Sequence, residues 1–460
     1  MKLILSVVFL FASLPILNAG DLGRQMGIAP GYGTQHSLEK AAEKSVSFKQ
    51  LLQSIAQPDI KDLDFSFPKP KADENFVLRG DERFFITVMA STREERTRLM
   101  ELGLDIQEIY KTKVSGIAHQ KTVALLSQKG YVIEDKITLA DYAHNFFKDF
   151  PSADAAYHNY DEMIEVLQAI TAANSDIVSL YSIGKSLEGR EIWTLRINSN
   201  AKGTEKSNKP GAVFIGDHHA REHISVEVPL LHAAWLLENR NQSDIKNYIE
   251  TLDIYIIPML NPDGAEYDIA TGRYRWHRKN TRKNPDGNIG VDLNRNYDFR
   301  WGGAGASHST YSDTYCGPSV FSEPETQVAK KFFESHDNLK TYISYHSYAE
   351  LVLYPWGGIY DPVENENDRK AFIAMAKEMA ALTGYTPKQS SDLYAATGDA
   401  TDWTYGERGV FSFTIELSPA SSWGGGFYPG VSILEKTVKD NIAAANYLLS
   451  MTADPYKSLK

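Results

Sequence analysis

The segment around position 220 constrains the fold more than any other part of the chain. The apolar run at 211–215 predicts a buried strand, and the apolar spacing at 224–235 predicts a helix. Between them, residues 218–223 read His-His-Ala-Arg-Glu-His, so these polar side chains lie where a strand gives way to a helix. Because α/β proteins usually bind ligands at the carboxyl ends of their strands, the segment predicts an α/β domain with a functional site at this sheet edge.

Three residues predict a metal site at that edge. His219 and Glu222 are three residues apart, and side chains at this spacing share one face of a helical turn. His346 follows a predicted strand at 341–345 and can reach the same edge. Two histidines and a glutamate leave one position of a tetrahedral zinc ion open for water, which is the ligand set of a hydrolytic zinc site. We therefore expect one zinc ion in this domain.

A different pairing also fits the segment. Residues 219–223 match the pattern H-x-x-E-H, in which His219 and His223 both bind zinc and the glutamate acts as the base. That pattern requires a further glutamate ligand downstream and leaves His346 without a role. We favour the set of His219, Glu222 and His346 for this reason.

Further segments between Tyr157 and Leu417 accompany these ligands. They are Arg278-Lys279-Asn280, Asp292-Leu293-Asn294-Arg295-Asn296, Tyr394 with Asp402-Trp403, and Thr414-Ile415-Glu416-Leu417. Together with H-x-x-E and a histidine in the setting Ser-Tyr-His-Ser-Tyr, and in the same order along the chain, they resemble the carboxypeptidase A/B-like zinc carboxypeptidases. The resemblance implies an α/β fold with a mixed central sheet flanked by helices, and removal of C-terminal residues from peptides and proteins.

The resemblance also implies catalytic roles. Glu416 would be the general base, and Arg278 would stabilise the negative charge that develops on the scissile carbonyl oxygen. The family commonly reads Trp-Arg-Lys where this chain reads Trp-His-Arg-Lys at 276–279, so Arg275 is an alternative source of that cation. Asp292 would accept a hydrogen bond from the outer ring nitrogen of the ligand His219.

Substrate recognition is implied in the same way. Asn294 and Arg295 would bind the free C-terminal carboxylate, because a guanidinium forms two parallel charge-assisted hydrogen bonds with that anion. Tyr394 would close over the chain end. If Asp399 lies in the pocket, it can accept a lysine or arginine side chain, and a mixed preference for hydrophobic and basic C-terminal residues is expected. Asp399 could equally face solvent and have no such role. The other residues expected around the pocket for the terminal side chain are Leu353, Ala396, Thr401 and Thr414.

The alternatives to this interpretation are nucleic-acid binding, cleavage of cell-wall peptides and non-catalytic peptide binding. A net charge of -11, with 59 acidic against 48 basic residues, argues against nucleic acid as a partner. Cell-wall peptides also end in carboxylates, so a muropeptide peptidase is an alternative on the same site. A non-catalytic peptide-binding protein would be expected to lack Glu416 or a zinc ligand, and this chain keeps both.

The amino terminus predicts export. Lys2 precedes an uncharged apolar run from Leu3 to about Leu17, and small residues follow, so residues 1–19 are interpreted as a secretory signal peptide. The run is shorter than the roughly 20 residues that span a bilayer, so we expect no membrane span in the mature form. A secreted or periplasmic location follows. Cys316 is the only cysteine, so intramolecular disulfides are excluded, which fits a bacterial envelope or medium.

Residues 74–137 predict a small ferredoxin-like α+β unit. The pattern is strand at 84–89, helix at 92–102 with Ser91 as its N-cap, strands at 106–110 and 114–118, helix at 122–127 and strand at 131–133. The resemblance identifies this unit with the family's propeptide, a folding aid and inhibitor that covers the cleft. An activating protease would then cut between about Thr138 and Ala155, near Lys136 and Lys148.

The remaining predicted divisions are a polar segment at 20–73, a linker at 138–154, the catalytic domain at 155–452 and a polar tail at 453–460.

Overall fold

The computed structural model of the chain describes residues 83–138, 156–269 and 274–460. Some predicted segments lie outside the described residues: the signal peptide at 1–19, the polar segment at 20–73, the start of the N-terminal unit at 74–82 and nearly all of the linker at 138–154. Within the described ranges, no helix combines the length and the apolar character needed to cross a membrane.

The N-terminal unit has the predicted β-α-β-β-α-β order. Its elements are β1 (Arg83–Met89), α1 (Arg93–Glu101), β2 (Asp105–Ile109), β3 (Lys113–His119), α2 (Gln120–Gln128) and β4 (Ile133–Thr138). The four strands form an antiparallel sheet in the order β2-β3-β1-β4. Apolar side chains from the sheet and both helices, among them Ile86, Leu99 and Leu126, pack into a buried cluster. The unit therefore has a hydrophobic core of its own.

Two local predictions in this unit are wrong. Helix α1 is capped by Thr92 and not by Ser91: the Thr92 hydroxyl accepts a hydrogen bond from the backbone nitrogen of Glu95 (3.1 Å), and the Glu95 carboxylate accepts one from the Thr92 nitrogen (3.0 Å). This reciprocal capping box favours threonine here. The last strand begins at Ile133 and not at Tyr131. The side chain of Val132 is 60% exposed, so the apolar run before the strand is not buried in the core.

The larger domain is built on an eight-stranded mixed sheet in the order β11-β10-β12-β9-β7-β8-β6-β5. Its strands are β5 (Val178–Lys185), β6 (Glu191–Ile197), β7 (Gly211–Ile215), β8 (Asp253–Ile257), β9 (Leu339–Ser347), β10 (Leu351–Tyr354), β11 (Thr386–Gln389) and β12 (Phe411–Leu417). Strands β8, β7, β9 and β12 are parallel neighbours, so their carboxyl ends meet at one edge. The predicted fold class is confirmed.

Helices cover both faces of this sheet. They are α3 (Tyr160–Ala173), α4 (Ile224–Glu238), α5 (Ser243–Thr251), α6 (Pro262–Ile269), α7 (Pro324–Ser335), α8 (Glu366–Thr383), α9 (Ala400–Arg408) and α10 (Leu434–Met451). Alternate residues of β7 join different clusters: Ala212 and Phe214 pack with α3, α4, α8 and α10, whereas Val213 and Ile215 pack with α7 and α9. The apolar run at 211–215 is thus buried on both sides, as a central parallel strand requires.

The final residues were expected to be a polar tail. They form a short 3-10 helix, Pro455–Leu459, after α10. The ring of Tyr456 packs edge-on against Phe411, with ring centroids 5.7 Å apart, and its hydroxyl donates to Asp368. The carboxyl terminus is therefore held against the catalytic domain.

Candidate metal centre and substrate cleft

Three side chains converge at the carboxyl edge of β7 and β9. His219 follows β7, Glu222 precedes α4, and His346 lies near the end of β9. His219 Nδ1 lies 2.8 Å from Glu222 Oε1, His346 Nδ1 lies 3.0 Å from Glu222 Oε2, and the two Nδ1 atoms are 3.0 Å apart. These three residues form the one group of potential metal ligands found in the described part of the chain. Two imidazole nitrogens and a carboxylate suit zinc.

The backbone before this cluster allows a close turn. Gly216 follows β7 directly, and a side chain at this position would collide with the backbone oxygens of Ser225 and Pro258. Leu260 donates its backbone N–H to the carbonyl oxygen of Gly216, which ties the turn to the end of β8. A glycine is therefore required where β7 leads into the ligand segment.

Burial and the contacts between its members set the protonation of this cluster. Burial raises the pKa of Glu222, but the adjacent His219 and His346 lower it to below its ordinary value. Burial, and then the charge of Arg278, lower the pKa of His219. The carboxylate is thus ionised and the imidazole of His219 is neutral, which are the forms that bind a metal ion. Burial lowers the pKa of His346, but its hydrogen bond to Glu222 outweighs this and raises it, so a metal ion would compete with a proton for this ring.

The alternative pairing through His223 is not supported by the geometry. His223 lies outside the cluster. Its Nε2 is 3.0 Å from Oδ2 of Asp268, a buried carboxylate that also accepts a hydrogen bond from Tyr428 (2.9 Å). His223 therefore has Asp268 as its partner, whereas His346 is one of the three residues that form the candidate metal cluster, His219, Glu222 and His346.

Asp292 connects His219 to a cation. Its Oδ1 lies 3.2 Å from His219 Nε2, and its Oδ2 accepts a hydrogen bond from Arg278 Nε (3.0 Å). Although burial raises the pKa of Asp292, the charge of Arg278 holds it well below its ordinary range, so the aspartate is an ionised acceptor. Asp292 therefore lies within hydrogen-bond distance of both His219 and Arg278.

Arg278, and not Arg275, is the cation beside the metal cluster. Arg278 Nη1 lies 3.7 Å from Glu222 Oε1, and the residue lines a cavity of about 520 Å³ at this edge of the sheet. The guanidinium of Arg275 lies over the ring of Tyr267, 4.3 Å from its centroid.

Glu416 lies in the same cavity. It belongs to β12, and the parallel register of β12 and β9 pairs it with His346. Burial is the largest influence on this carboxyl group, and it raises the pKa of Glu416 to about 7. A carboxyl group with such a pKa can accept and return a proton near neutral pH.

The residues predicted to bind substrate are brought together around this cavity. Its lining includes Asn294, Arg295, Leu353, Tyr394, Ala396, Asp399, Thr401 and Thr414. Asn294 Oδ1 accepts a hydrogen bond from the backbone nitrogen of Ala400 (2.9 Å), which leaves its amide nitrogen as a donor. Arg295 donates to the backbone oxygens of Gly305 (3.3 Å) and Asn294 (2.8 Å), which hold the guanidinium in place.

Asp399 does not face bulk solvent. It caps α9, and its Oδ1 accepts hydrogen bonds from the backbone nitrogens of Thr401 and Asp402 (both 2.9 Å) and from the Thr401 hydroxyl (2.7 Å). The other oxygen, Oδ2, is buried. Asp399 lines the cavity and shares a side-chain hydrogen bond with Asp402, and burial raises the pKa of both carboxyl groups.

The N-terminal unit forms part of the wall of the cavity. Residues 105–110, which comprise β2 and Tyr110, form part of its lining. Asp105 forms an ion pair with Arg221, which also lies 3.3 Å from Asp313. Further along the strand, Glu108 accepts a hydrogen bond from the backbone nitrogen of Ser422 (2.8 Å).

Apolar contacts and backbone hydrogen bonds complete this interface. Ile117 of β3 packs in one buried cluster with Trp276, Tyr348, Phe427 and Tyr428 of the larger domain. Two arginines of the N-terminal unit donate to backbone oxygens: Arg83 to residues 275 and 276 (2.6 and 2.9 Å), and Arg96 to residue 393 (2.6 Å).

Some residues at the site had no predicted role. Arg221 lies inside the H-x-x-E motif, and a cation next to metal ligands was a signal that could have marked it. Tyr348 lines the cavity and ends the Ser-Tyr-His-Ser-Tyr segment. His218 and Ser344 lie behind the three residues of the cluster, where His218 Nδ1 is 3.2 Å from Ser344 Oγ. The only signal in the sequence for His218 and Ser344 is that each lies within two residues of a proposed ligand histidine.

The chain was compared with known proteins. The zinc carboxypeptidase family model matches residues 163–444. A zinc carboxypeptidase from Saccharothrix mutabilis subsp. capreolus is 34% identical over 397 residues, which cover 81% of this chain and 90% of that protein. Carboxypeptidase B from Rattus norvegicus is 32% identical over 300 residues, 64% of this chain and 70% of that protein. The crystal structure of carboxypeptidase A from Helicoverpa armigera has a TM-score of 0.67 at 25% identity and covers 80% of this chain and 98% of that one.

Proposed function

Since the chain belongs to the zinc carboxypeptidase family and is therefore a hydrolytic exopeptidase, we propose that His219, Glu222 and His346 hold its zinc ion and that Glu416 is the general base. The observation that carries the proposal is the convergence of the three ligands with Glu416, Arg278, Asn294 and Arg295 around one cavity. When bound, zinc supplies a Lewis acid that polarises a carbonyl group and lowers the pKa of water.

The end of the substrate is recognised by its charge. Arg295 and the amide nitrogen of Asn294 bind the C-terminal carboxylate, and Tyr394, which lines the same cavity, covers it. Burial raises the pKa of Tyr394 to about 12, so its hydroxyl stays protonated and can donate a hydrogen bond. A peptide with an amidated C-terminus lacks this charge and is a poor substrate.

Proton transfer is the role of Glu416. As a carboxylate it takes a proton from the attacking water, and as a carboxylic acid it gives that proton to the leaving amine. Its raised pKa makes both steps accessible near neutral pH. Arg278, held by Asp292, stabilises the negative charge on the carbonyl oxygen during the attack.

Asp399 is proposed to set the side-chain preference. Its carboxylate would accept a hydrogen bond from a lysine or arginine side chain, whose positive charge favours the ionised form, while Leu353 and Ala396 contact hydrophobic side chains. We therefore expect both hydrophobic and basic C-terminal residues to be removed.

The uncut chain is proposed to be a zymogen that is exported by the signal peptide at 1–19. The ion pair between Asp105 and Arg221 and the position of β2 in the wall of the cavity support an inhibitory role for the N-terminal unit. An activating protease would cut the linker at 138–154 and release the catalytic domain.

The proposal is tested by the release of C-terminal amino acids after proteolysis of the linker. We expect release that depends on zinc from peptides with free C-termini and no release by Glu416→Gln. Full activity of that variant, or activity that survives complete removal of zinc, would refute the mechanism. Muropeptides in the same panel test whether cell-wall peptides are the preferred substrate.

A further inference from the structure

A row of buried polar side chains extends from the proposed ligand His346, and its other members have no role in the mechanism above. It runs from His346 through Ser344 and His218 to Tyr297, and each of these residues is at most 1% exposed. His346 Nε2 lies 3.0 Å from Ser344 Oγ, Ser344 Oγ lies 3.2 Å from His218 Nδ1, and His218 Nε2 lies 3.0 Å from Tyr297 Oη.

The direction of each hydrogen bond follows from the orientation of His346. Because Nδ1 of His346 faces the metal cluster, its Nε2 carries the ring proton and donates to Ser344 Oγ. The single hydroxyl proton of Ser344 is then available for His218 Nδ1, which accepts it. His218 consequently carries its own proton on Nε2 and donates to Tyr297 Oη.

The two ligand histidines are thus supported differently. His219 donates its outer N–H to the carboxylate of Asp292, a fixed and charged acceptor. His346 donates to a hydroxyl group, which can rotate and can donate or accept. A serine alone therefore does not fix the orientation of the imidazole, and it needs a second partner that takes its proton. The ring of His218 is suited to this, since it also stacks on His346 at 22° with ring centroids 5.5 Å apart.

We propose that His218 is a positioning residue that acts through Ser344 to fix the tautomer and orientation of His346 as a metal ligand. The inference rests on the proposed zinc site, in which His346 binds through Nδ1. Groups that orient a ligand histidine typically change metal affinity by about 10- to 100-fold when they are removed.

The test measures the zinc affinity of the full-length protein by competition with a chelator. We expect His218→Leu and Ser344→Ala each to weaken zinc binding by about 10- to 100-fold. His218→Asn is the matched control, because its Oδ1 can accept the Ser344 proton in place of Nδ1, and it should restore most of the affinity. In the double variant the losses should not add, since His218 acts through Ser344.

A second readout separates positioning from general destabilisation. The visible spectrum of the cobalt-substituted protein reports the ligand geometry, and it should change in His218→Leu and Ser344→Ala but return towards that of the parent in His218→Asn. Parent-like zinc affinity and cobalt spectrum in Ser344→Ala, a small truncation, would overturn the inference even if His218→Leu failed to fold. So would losses that add in the double variant.

His346→Ala distinguishes this result from a failure of the proposed function. If that variant binds zinc as tightly as the parent, the metal site itself is wrong. If it loses zinc while Ser344→Ala and His218→Leu keep it, only the positioning role is wrong.

Discussion

Glu416 and His346 face each other across two parallel strands, in a register that pairs Thr414 with Ser344 and Leu417 with Ser347. The proposed base is thus fixed relative to a proposed metal ligand by the backbone of β12 and β9. A change confined to the Glu416 side chain should therefore leave the metal cluster in place.

Glu416→Gln should abolish peptide hydrolysis while the protein keeps its zinc. The amide has nearly the volume of the carboxylate, but it cannot accept and return the proton, and loss of such a group typically costs about 10²- to 10⁴-fold in rate. The rate of release of a C-terminal residue and the bound zinc are measured on the same sample. A variant that loses zinc along with activity would contradict the independence of base and metal site.

The activity should fall in acid as Glu416 becomes protonated. Without a metal ion, burial raises the pKa of Glu416 from 4.5 to about 7, and the positive charge of bound zinc lowers it again. The raised pKa means that the active carboxylate form is lost at a higher pH than for an exposed glutamate. A profile of kcat/KM against pH should show its acidic inflection between 4.5 and about 7, and a flat profile over this range would contradict it.

Asp399→Asn should reduce the removal of lysine more than the removal of phenylalanine. Asparagine can still cap α9 through its side-chain oxygen, so the fold is retained, but the charge beside a bound lysine is lost. We expect the ratio of kcat/KM values to shift by about tenfold or more, equivalent to about 1.4 kcal/mol. Equal losses on Lys-ended and Phe-ended peptides would argue against the specificity role.

Asp105→Ala should weaken inhibition by the N-terminal unit. The ion pair between Asp105 and Arg221 is buried, and truncation of one partner typically costs about 2 kcal/mol or more. The inhibition constant of the separated unit, residues 74–137, should rise by about 30-fold or more against the cleaved enzyme. Glu134→Gln is a matched control, because Glu134 forms an exposed ion pair with Lys113 within the unit. Equal inhibition by both variants would refute the role of Asp105.

His158→Gln should destabilise the protein more in weak acid than in weak base. Burial lowers the pKa of His158, but the charge of Glu227, 2.7 Å from its ring, outweighs this and raises the pKa above 6.5. The pair therefore stabilises the fold below pH 6.5, and the stabilisation is lost as the pH rises through the raised pKa. The free energy of unfolding in urea should fall by about 2 kcal/mol at pH 6 and by less at pH 9.

The proximity of His219 and Glu222 and the central strands were predictable because their signals are local. His219 and Glu222 are three residues apart, and the strand at 211–215 is apolar throughout because both of its faces are buried. The start of α1 was less certain, since Ser91 and Thr92 are adjacent and both suit an N-cap. Only the contact with Glu95 decides between them.

Other features depend on contacts between distant parts of the chain. The pairing of Asp105 with Arg221 joins residues 116 positions apart, and nothing near either residue indicates it. The orientation of Asp399 depends on its hydrogen bonds to the first turn of α9. The sequence therefore left open whether this carboxylate faced solvent. The row behind His346 likewise arises because β7 and β9 are neighbours in the sheet.

Two of the arginines that dock the N-terminal unit bind backbone oxygens of the larger domain. Arg83 and Arg96 donate to carbonyl oxygens of residues 275, 276 and 393, which every amino acid supplies. Substitutions in the pocket around Asp399 therefore leave these anchoring contacts unchanged. A related chain could therefore change its preference for C-terminal residues and still keep its N-terminal unit docked on the larger domain.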